Sequence, residues 1–489
     1  MIKRKVLIVG SGIAGMASAI RLVVKGYQVE VFEANSYPGG KLSEIQIGDY
    51  RFDAGPSLFT LPEQVDELFR LAGKDPKDYF EYDKLNVACK YFWEDGTRLN
   101  AYADLDLFAE EVQSKLGEPA TTIRKALRQS AFIYDSLAPL FMNRSLHKLD
   151  TWTNPHALKS YLRMGKLGIF STMDEANQKQ FTHPKLVQLF NRYATYNGSN
   201  PFETPATLNI IPHLEFNIGA FFPKKGMHDI TQSLFKLSEE LGVTYHFGQK
   251  VDKVLVENGK AKGLRVKGQD HYADLVVNNM DMVNAYKTIL KDQKQPKLLL
   301  NQPKSSSALI FYWGIKRDFP ELDLHNIFFT DNYPLEFEHI FKKGTIYDDP
   351  TIYVNITSTH KSDDAPAGCM NWFTMINVPN NQGQDWDQMI TEAKRNIIHK
   401  LNRILKTDVE PLIEAEEILD PRTIESKTSS AQGALYGNSS NNKFAAFLRH
   451  ANYSSSIKSL YFCGGSVHPG GGIPLCLLSA KIMSEMIEE

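Results

Sequence analysis

Cysteine is scarce and scattered in this sequence. The four thiols of the 489-residue chain, Cys89, Cys369, Cys463 and Cys476, form no Cys-x-x-Cys pair. The spacing of a zinc or iron–sulfur site is therefore missing, as is a disulfide framework, and no metal is expected. Such thiols suit a reducing compartment. Charge of one sign is equally short: the formal net charge of -2 leaves no basic surplus for extended nucleic-acid binding, so no nucleic-acid partner is expected. Long hydrophobic runs are absent, with no stretch of about 18 apolar residues to span a bilayer. The basic opening Lys3-Arg4-Lys5 precedes an apolar run of only Val6 to Val9, shorter than the roughly 7–15 residues of an export signal. A cytoplasmic location is the expectation.

At 42% hydrophobic and 23% charged the composition is that of a globular protein, and its length exceeds what one core usually supports, which predicts two or more lobes. Residues 5–9 form a β-branched run that suits a buried parallel strand. Ala14 to Lys25 has apolar residues at helical spacing and stops at Gly26, and Gln28 to Phe32 is a second strand. Between about 76 and 230 the pattern is mixed and rich in Leu, Phe, Tyr and Met. A helix over 226–241 and strands over 243–247, 250–257, 263–266 and 275–277 follow, then long strands at 305–315 and 351–358. The end of the chain reads as strand, glycine loop and helix.

Gly10-x-Gly12-x-x-Gly15 joins the first strand to the first helix. In that setting Gly10 permits the tight turn, Gly12 lets backbone approach a pyrophosphate at the helix N-terminus, and Gly15 allows close helix–strand packing. Ile13 and Ala14 lie inside the turn. Glu33, ending the second strand about 20 residues on, is placed to accept ribose hydroxyls, and Ala34 follows it. An acidic residue here fits NAD or FAD. The continuation to Gly39-Gly40-Lys41 supplies a second close backbone approach, as a longer, bent cofactor requires, and favours FAD. Lys41 either neutralises phosphate or is solvated. Gly55-Pro56-Ser57, after Asp53, reads as a rigid loop beneath a flat ring, or else as an ordinary tight turn.

The C-terminal segment carries the complementary signal. Strand 460–463 runs into Gly464-Gly465-Ser466-Val467-His468-Pro469-Gly470-Gly471-Gly472, then Ile473-Pro474 open a helix. Proline suits a first helical turn, so the positive end of that helix is free to meet charge developing on a reduced flavin. His468 is a candidate base but equally a packing residue. Asp53, Arg144, His325 and His360 are further positional candidates for acid–base work, and no catalytic pair is assigned.

Taken together, VLIVGSGIAGMASAIRL, VFEANSYPGGKL, FDAGPSLFTLP and SVHPGGGIPLCLLSAK resemble the phytoene-desaturase type of carotenoid desaturases, within a wider flavin amine-oxidase-like superfamily. GGGIPLCLLSAK resembles the branch that acts on 1-hydroxylated acyclic ends, the 1-hydroxycarotenoid 3,4-desaturases. The resemblance implies an α/β fold: a Rossmann-like FAD-binding domain assembled from 1–75, 226–290 and 415–489, an α+β substrate domain from 76–225 and 291–414, and a helical membrane-facing region. By the same analogy Val251 contacts the adenine side through its backbone and the substrate is an acyclic carotenoid; the sequence does not choose between oxygen and a membrane quinone as electron acceptor. Hydride loss beside a polyene leaves a cation that the conjugated chain delocalises, so the protein has chiefly to position the substrate and exclude water.

Carotenoids reside in the bilayer, which calls for a docking surface. Residues 131–170 interleave aromatic and aliphatic side chains with Arg144, Lys148, Lys159, Arg163 and Lys166. They read either as helices lying in the membrane interface, giving monotopic attachment to the inner face of the cell membrane, or as helices packed on the protein's own second lobe. Three other functions stay open: desaturation of an unhydroxylated carotene, an amine or porphyrinogen oxidase, and a non-catalytic isoprenoid-binding escort protein.

Overall fold

A computed structural model describes residues 4–442 and 448–487. The strands Lys5–Val9 and Gln28–Phe32 lie side by side and parallel, linked by the helix Ile13–Val24. Val6, Leu7 and Ile8 are wholly buried, as befits a strand covered on both faces. Three distant strands complete a five-stranded parallel sheet: Leu460–Phe462, Leu275–Asn278, Lys5–Val9, Gln28–Phe32 and Thr244–His246, in that order. The terminal helix Ile473–Glu485 packs on Ile13–Val24, so the two ends of the chain share one layer. An antiparallel trio, Val251–Glu257, Lys260–Val266 and Gln269–Tyr272, sits beside this sheet, and its last strand was not foreseen.

A seven-stranded mixed sheet forms the second layer, in the order 413–419, 307–315, 370–378, 352–356, 325–328, 87–92, 98–102. Ser307–Ile315 is buried at every residue because both its faces are covered. Successive side chains alternate between faces: Leu309, Phe311 and Trp313 join Trp372 and Ile376 under the helix Trp386–Leu405. Ala308, Ile310 and Tyr312, with Phe373, Met375 and Asn377 opposite them, face a cavity. The expected boundary at 415 falls inside the edge strand Ile413–Leu419, which pairs with Ser307–Ile315. That strand therefore belongs to the larger sheet, and the parallel sheet takes up the chain again only at Leu460.

The stretch 131–170 holds the end of the helix Ala120–Phe141, a turn at Asp150–Thr153, and the helix Pro155–Arg163. Among the described residues no helix is long and apolar enough to cross a membrane.

Candidate functional site

One cavity of about 1460 Å³ runs along the C-terminal edge of the parallel sheet and on between the layers, the crevice where open α/β sheets bind their ligands. Of the residues singled out in the sequence, Gly10, Gly12, Ile13, Ala14, Glu33, Ala34, Gly39, Gly40, Lys41, Gly55, Pro56, Ser57, Val251, Gly464, Gly465, Gly472, Ile473 and Pro474 all line it. Gly15 does not. A Cβ at Gly15 would stand 2.2 Å from the Gly10 carbonyl oxygen, so this glycine closes the turn onto the helix. Gly39, at φ +104°, shows the same crowding: a Cβ there would come within 2.4 Å of the Leu42 carbonyl.

The residues fit an FAD molecule. Gly12 lies between the strand and the helix N-terminus, and beyond Asn279 at 3.1 Å nothing among the described residues stands within 4 Å of its Cβ position. Glu33 is buried, and its carboxylate accepts from the Ser11 backbone N–H at 2.8 Å, the Ser11 hydroxyl at 2.9 Å and the Asn35 N–H at 2.8 Å. This pins the acid in one orientation with lone pairs left for ribose hydroxyls. Asn279, its amide oxygen assigned toward the turn, accepts from the N–H groups of Gly15 at 3.2 Å and Gly12 at 3.3 Å. Nothing in the sequence marked it, although it follows the strand Leu275–Asn278 onto the binding edge.

The Lys41 ammonium donates to the Leu435 carbonyl at 3.0 Å, and loss of water around it lowers its pKa despite nearby Asp281. Asp281 moves the other way: burial raises it, while its carboxylate caps the helix Met282–Lys287 through the N–H groups of Val283 and Asn284. Ser57 meets the Tyr353 hydroxyl at 2.8 Å, and that hydroxyl lies 2.7 Å from His325 Nδ1. Burial drops His325 to about 3, so its ring is neutral. Arg449, unmarked in the sequence, is buried at the cavity wall behind the glycine loop.

The catalytic candidates fare differently. His468 lines the cavity, but its Nε2 donates to the Arg144 carbonyl at 2.7 Å and burial lowers its pKa to about 4. Arg144 itself is exposed and contributes that carbonyl, not its guanidinium. Asp53 lies off the cavity: it accepts from the N–H groups of Met227 and His228 at the start of the helix His228–Glu240 and pairs with Arg51. Its job is to fix that helix N-terminus. His360 sits off the cavity wall beside Thr359, 4.0 Å from Asp323. None of the five is placed as a free base.

At the far end, the cavity is lined by Leu137, Phe141, Trp152, Tyr161, Met164 and Ile169. The neighbouring surface carries Leu149, Leu162 and Phe170, each more than 80% exposed.

A family model described as flavin containing amine oxidoreductase matches residues 13–487. A 1-hydroxycarotenoid 3,4-desaturase of Flavobacterium sp. (strain P99-3) is 53% identical over 484 residues, 99% of each chain. A 4,4'-diapolycopene oxygenase of Methylomonas sp is 30% identical over 494 residues, covering 99% of this chain and 98% of the other. A solved structure of putrescine oxidase superposes with a TM-score of 0.64 at 14% identity, over 99% of this chain and 98% of its own.

Proposed function

The chain belongs to the flavin containing amine oxidoreductase family, and from that premise we propose that this FAD-dependent oxidoreductase desaturates an acyclic carotenoid, introducing the 3,4 double bond of a 1-hydroxylated end. The observation that carries the reading is the continuity of one cavity from the two glycine loops to an apolar, aromatic-lined far end. At about 1460 Å³ it exceeds the roughly 300–1,000 Å³ of an ordinary ligand pocket, leaving room for a dinucleotide and a long hydrocarbon together. The 53% identical relative is named for this reaction, which favours the hydroxylated substrate over an unhydroxylated carotene.

The glycine turn at 10–15, Glu33 and Val251 hold the nucleotide half in this reading, and Gly39 to Lys41, the 55–57 loop and the 464–474 segment enclose the ring. When bound, the flavin supplies the two-electron acceptor for hydride removal. The chain's own part is positional: Ile310, Tyr312, Phe373 and Met375 form a dry wall for the polyene, which stabilises the allylic cation through its own conjugation. A delocalised cation is a strong carbon acid, so its proton needs no strong base, in keeping with the neutral His468 and His325.

The helical region 131–170 is the proposed docking face. Tyr161 and Met164 both line the cavity and are more than a third exposed, beside Leu149, Leu158, Leu162 and Phe170. A basic, aromatic apolar patch of this kind lies in the interface of an anionic leaflet, here the inner face of the cell membrane. The electrons pass on to oxygen or a membrane quinone.

The test is product analysis. Protein loaded with FAD is incubated in liposomes with a 1-hydroxycarotene, lycopene and phytoene, with air or with quinone under argon. A red shift of the visible spectrum with the hydroxylated compound alone is expected; conversion of phytoene alone would move the assignment to a carotene desaturase, and no conversion of any polyene would overturn it.

A further inference from the structure

Arg449 is a buried cation that, among the described residues, has no buried anion beside it. Its guanidinium donates to the carbonyls of Tyr436 at 3.1 Å and Gly465 at 3.4 Å, and lies 3.3 Å from the Asn197 side-chain oxygen and 3.5 Å from the Ser440 hydroxyl. Each of these partners is neutral. Among the described residues the one group of opposite polarity acting on it is the Cys476 thiol, which burial pushes up to about 11 and so keeps protonated. Burial lowers Arg449 itself to about 10, which still leaves it charged at neutral pH. Withdrawing a guanidinium from water is costly unless an anion completes it.

The place of that anion is set by the glycine loop. A Cβ on Gly470 would stand 3.3 Å from the Arg449 Cζ, and one on Gly465 would meet Gly471 Cα at 3.3 Å. The arginine is thus packed behind the loop that leads into the helix Ile473–Glu485, whose N-terminal residues Gly472, Ile473 and Pro474 line the cavity. A fixed cation and the positive end of a helix converge on one stretch of cavity wall.

We propose that Arg449 neutralises the charge that the flavin ring acquires on reduction, and so raises the reduction potential of the enzyme. The proposal rests on the flavin reading of the cavity. A hydride brings two electrons and one proton to the ring, which changes from neutral to singly negative; the proton lost from the adjoining substrate carbon leaves to bulk water and does not enter the ring. A cation beside the ring does little for the oxidised state and much for the reduced one, which favours removal of a hydride from the carbon beside the polyene.

The test measures the midpoint potential of the purified holoenzyme by dye equilibration, for wild type, Arg449→Met and Arg449→Lys, with the FAD dissociation constant measured alongside. Arg449→Met is expected to weaken the reduced form relative to the oxidised about tenfold, a fall of about 30 mV for a two-electron couple, and Arg449→Lys to restore the potential. Wild type is expected to take up one proton per two electrons on the acid side of neutrality, a slope of about 30 mV per pH unit. A slope near 59 mV per unit there, meaning the ring is reduced to its neutral form, would overturn the proposal even if Arg449→Met fails to fold. So would an unchanged potential in Arg449→Met coupled to weaker FAD binding, which would assign the arginine to the pyrophosphate. Purified protein that takes up no flavin would instead sink the cofactor reading beneath it.

Discussion

His468 Nε2 lies 2.7 Å from the backbone carbonyl oxygen of Arg144, which joins the C-terminal glycine loop to the end of the helical region. The bond requires the proton on Nε2, and burial with nearby His147 and Arg449 keeps the ring neutral, at about 4.

That neutrality predicts an acid-sensitive fold. His325 is held at about 3 and His450 at about 4 by burial, below an ordinary histidine near 6.5. Between those values the unfolded chain binds protons that the folded chain does not, so stability is full above about pH 6.5 and is lost as pH falls toward 4. Each imidazole contributes a slope of up to about 1.4 kcal/mol per pH unit. Thermal melting from pH 8 to 4 should show a flat plateau and then a decline, and His468→Gln should make the decline shallower. A melting temperature independent of pH across 6.5 to 4.5 would refute the assignment.

Gly15 and Gly26 separate crowding from backbone conformation. Gly15→Ala puts a Cβ at 2.2 Å from the Gly10 carbonyl, whereas Gly26, at φ +90°, has nothing among the described residues within 4 Å. Gly26→Ala should therefore carry only the left-handed penalty of about 1–2 kcal/mol and retain FAD. Gly15→Ala should destabilise by about 3 kcal/mol or more and purify colourless. Equal FAD content in the two variants would remove the glycine turn from the cofactor site.

How much of this was legible in the sequence follows from how local each signal is. The turn at 10–15 and Glu33 lie within one β–α–β unit, whose geometry is set by neighbours along the chain, and the 464–474 loop is likewise self-contained. Arg449, Asn279 and Tyr353 gain their meaning from partners far along the chain, and no spacing rule marks them. The strands 87–92 and 98–102 were hidden in a mixed stretch because their sheet is completed by 325–328, more than 200 residues later. Asp53 drew notice as a carboxylate in a motif, yet besides neighbouring Arg51 it is engaged by the N–H groups of Met227 and His228, which lie 174 and 175 residues on.

The Glu33 carboxylate accepts from three donors at 2.8–2.9 Å, so its removal should weaken cofactor binding and, by leaving the Ser11 and Asn35 donors without their acceptor, also lower stability by about 1–3 kcal/mol. A hydrogen bond to a charged group is worth about 1.5–3 kcal/mol. Loss of the ribose contact in Glu33→Ala should raise the FAD dissociation constant about 10- to 100-fold, read by quenching of flavin fluorescence on adding apoprotein. Saturating FAD should restore conversion. An unchanged dissociation constant would show that the ribose lies elsewhere.

The apolar patch gives the sharpest contrast between the two readings of residues 131–170. Leu149, Leu162 and Phe170 are 86%, 82% and 83% exposed, so they contribute little to the core, and replacing them with serine should leave the melting temperature nearly unchanged. If they enter the lipid, each forfeits about 1.5–3 kcal/mol of transfer energy, and the triple variant should bind anionic liposomes at least 100-fold more weakly. Conversion of carotenoid in liposomes should fall in parallel, while the flavin spectrum stays intact. Because Tyr161 and Met164 connect the patch to the cavity wall, lipid contact here would let a substrate pass from bilayer to flavin without crossing water. Equal sedimentation of wild type and triple variant with vesicles would assign the patch to another role.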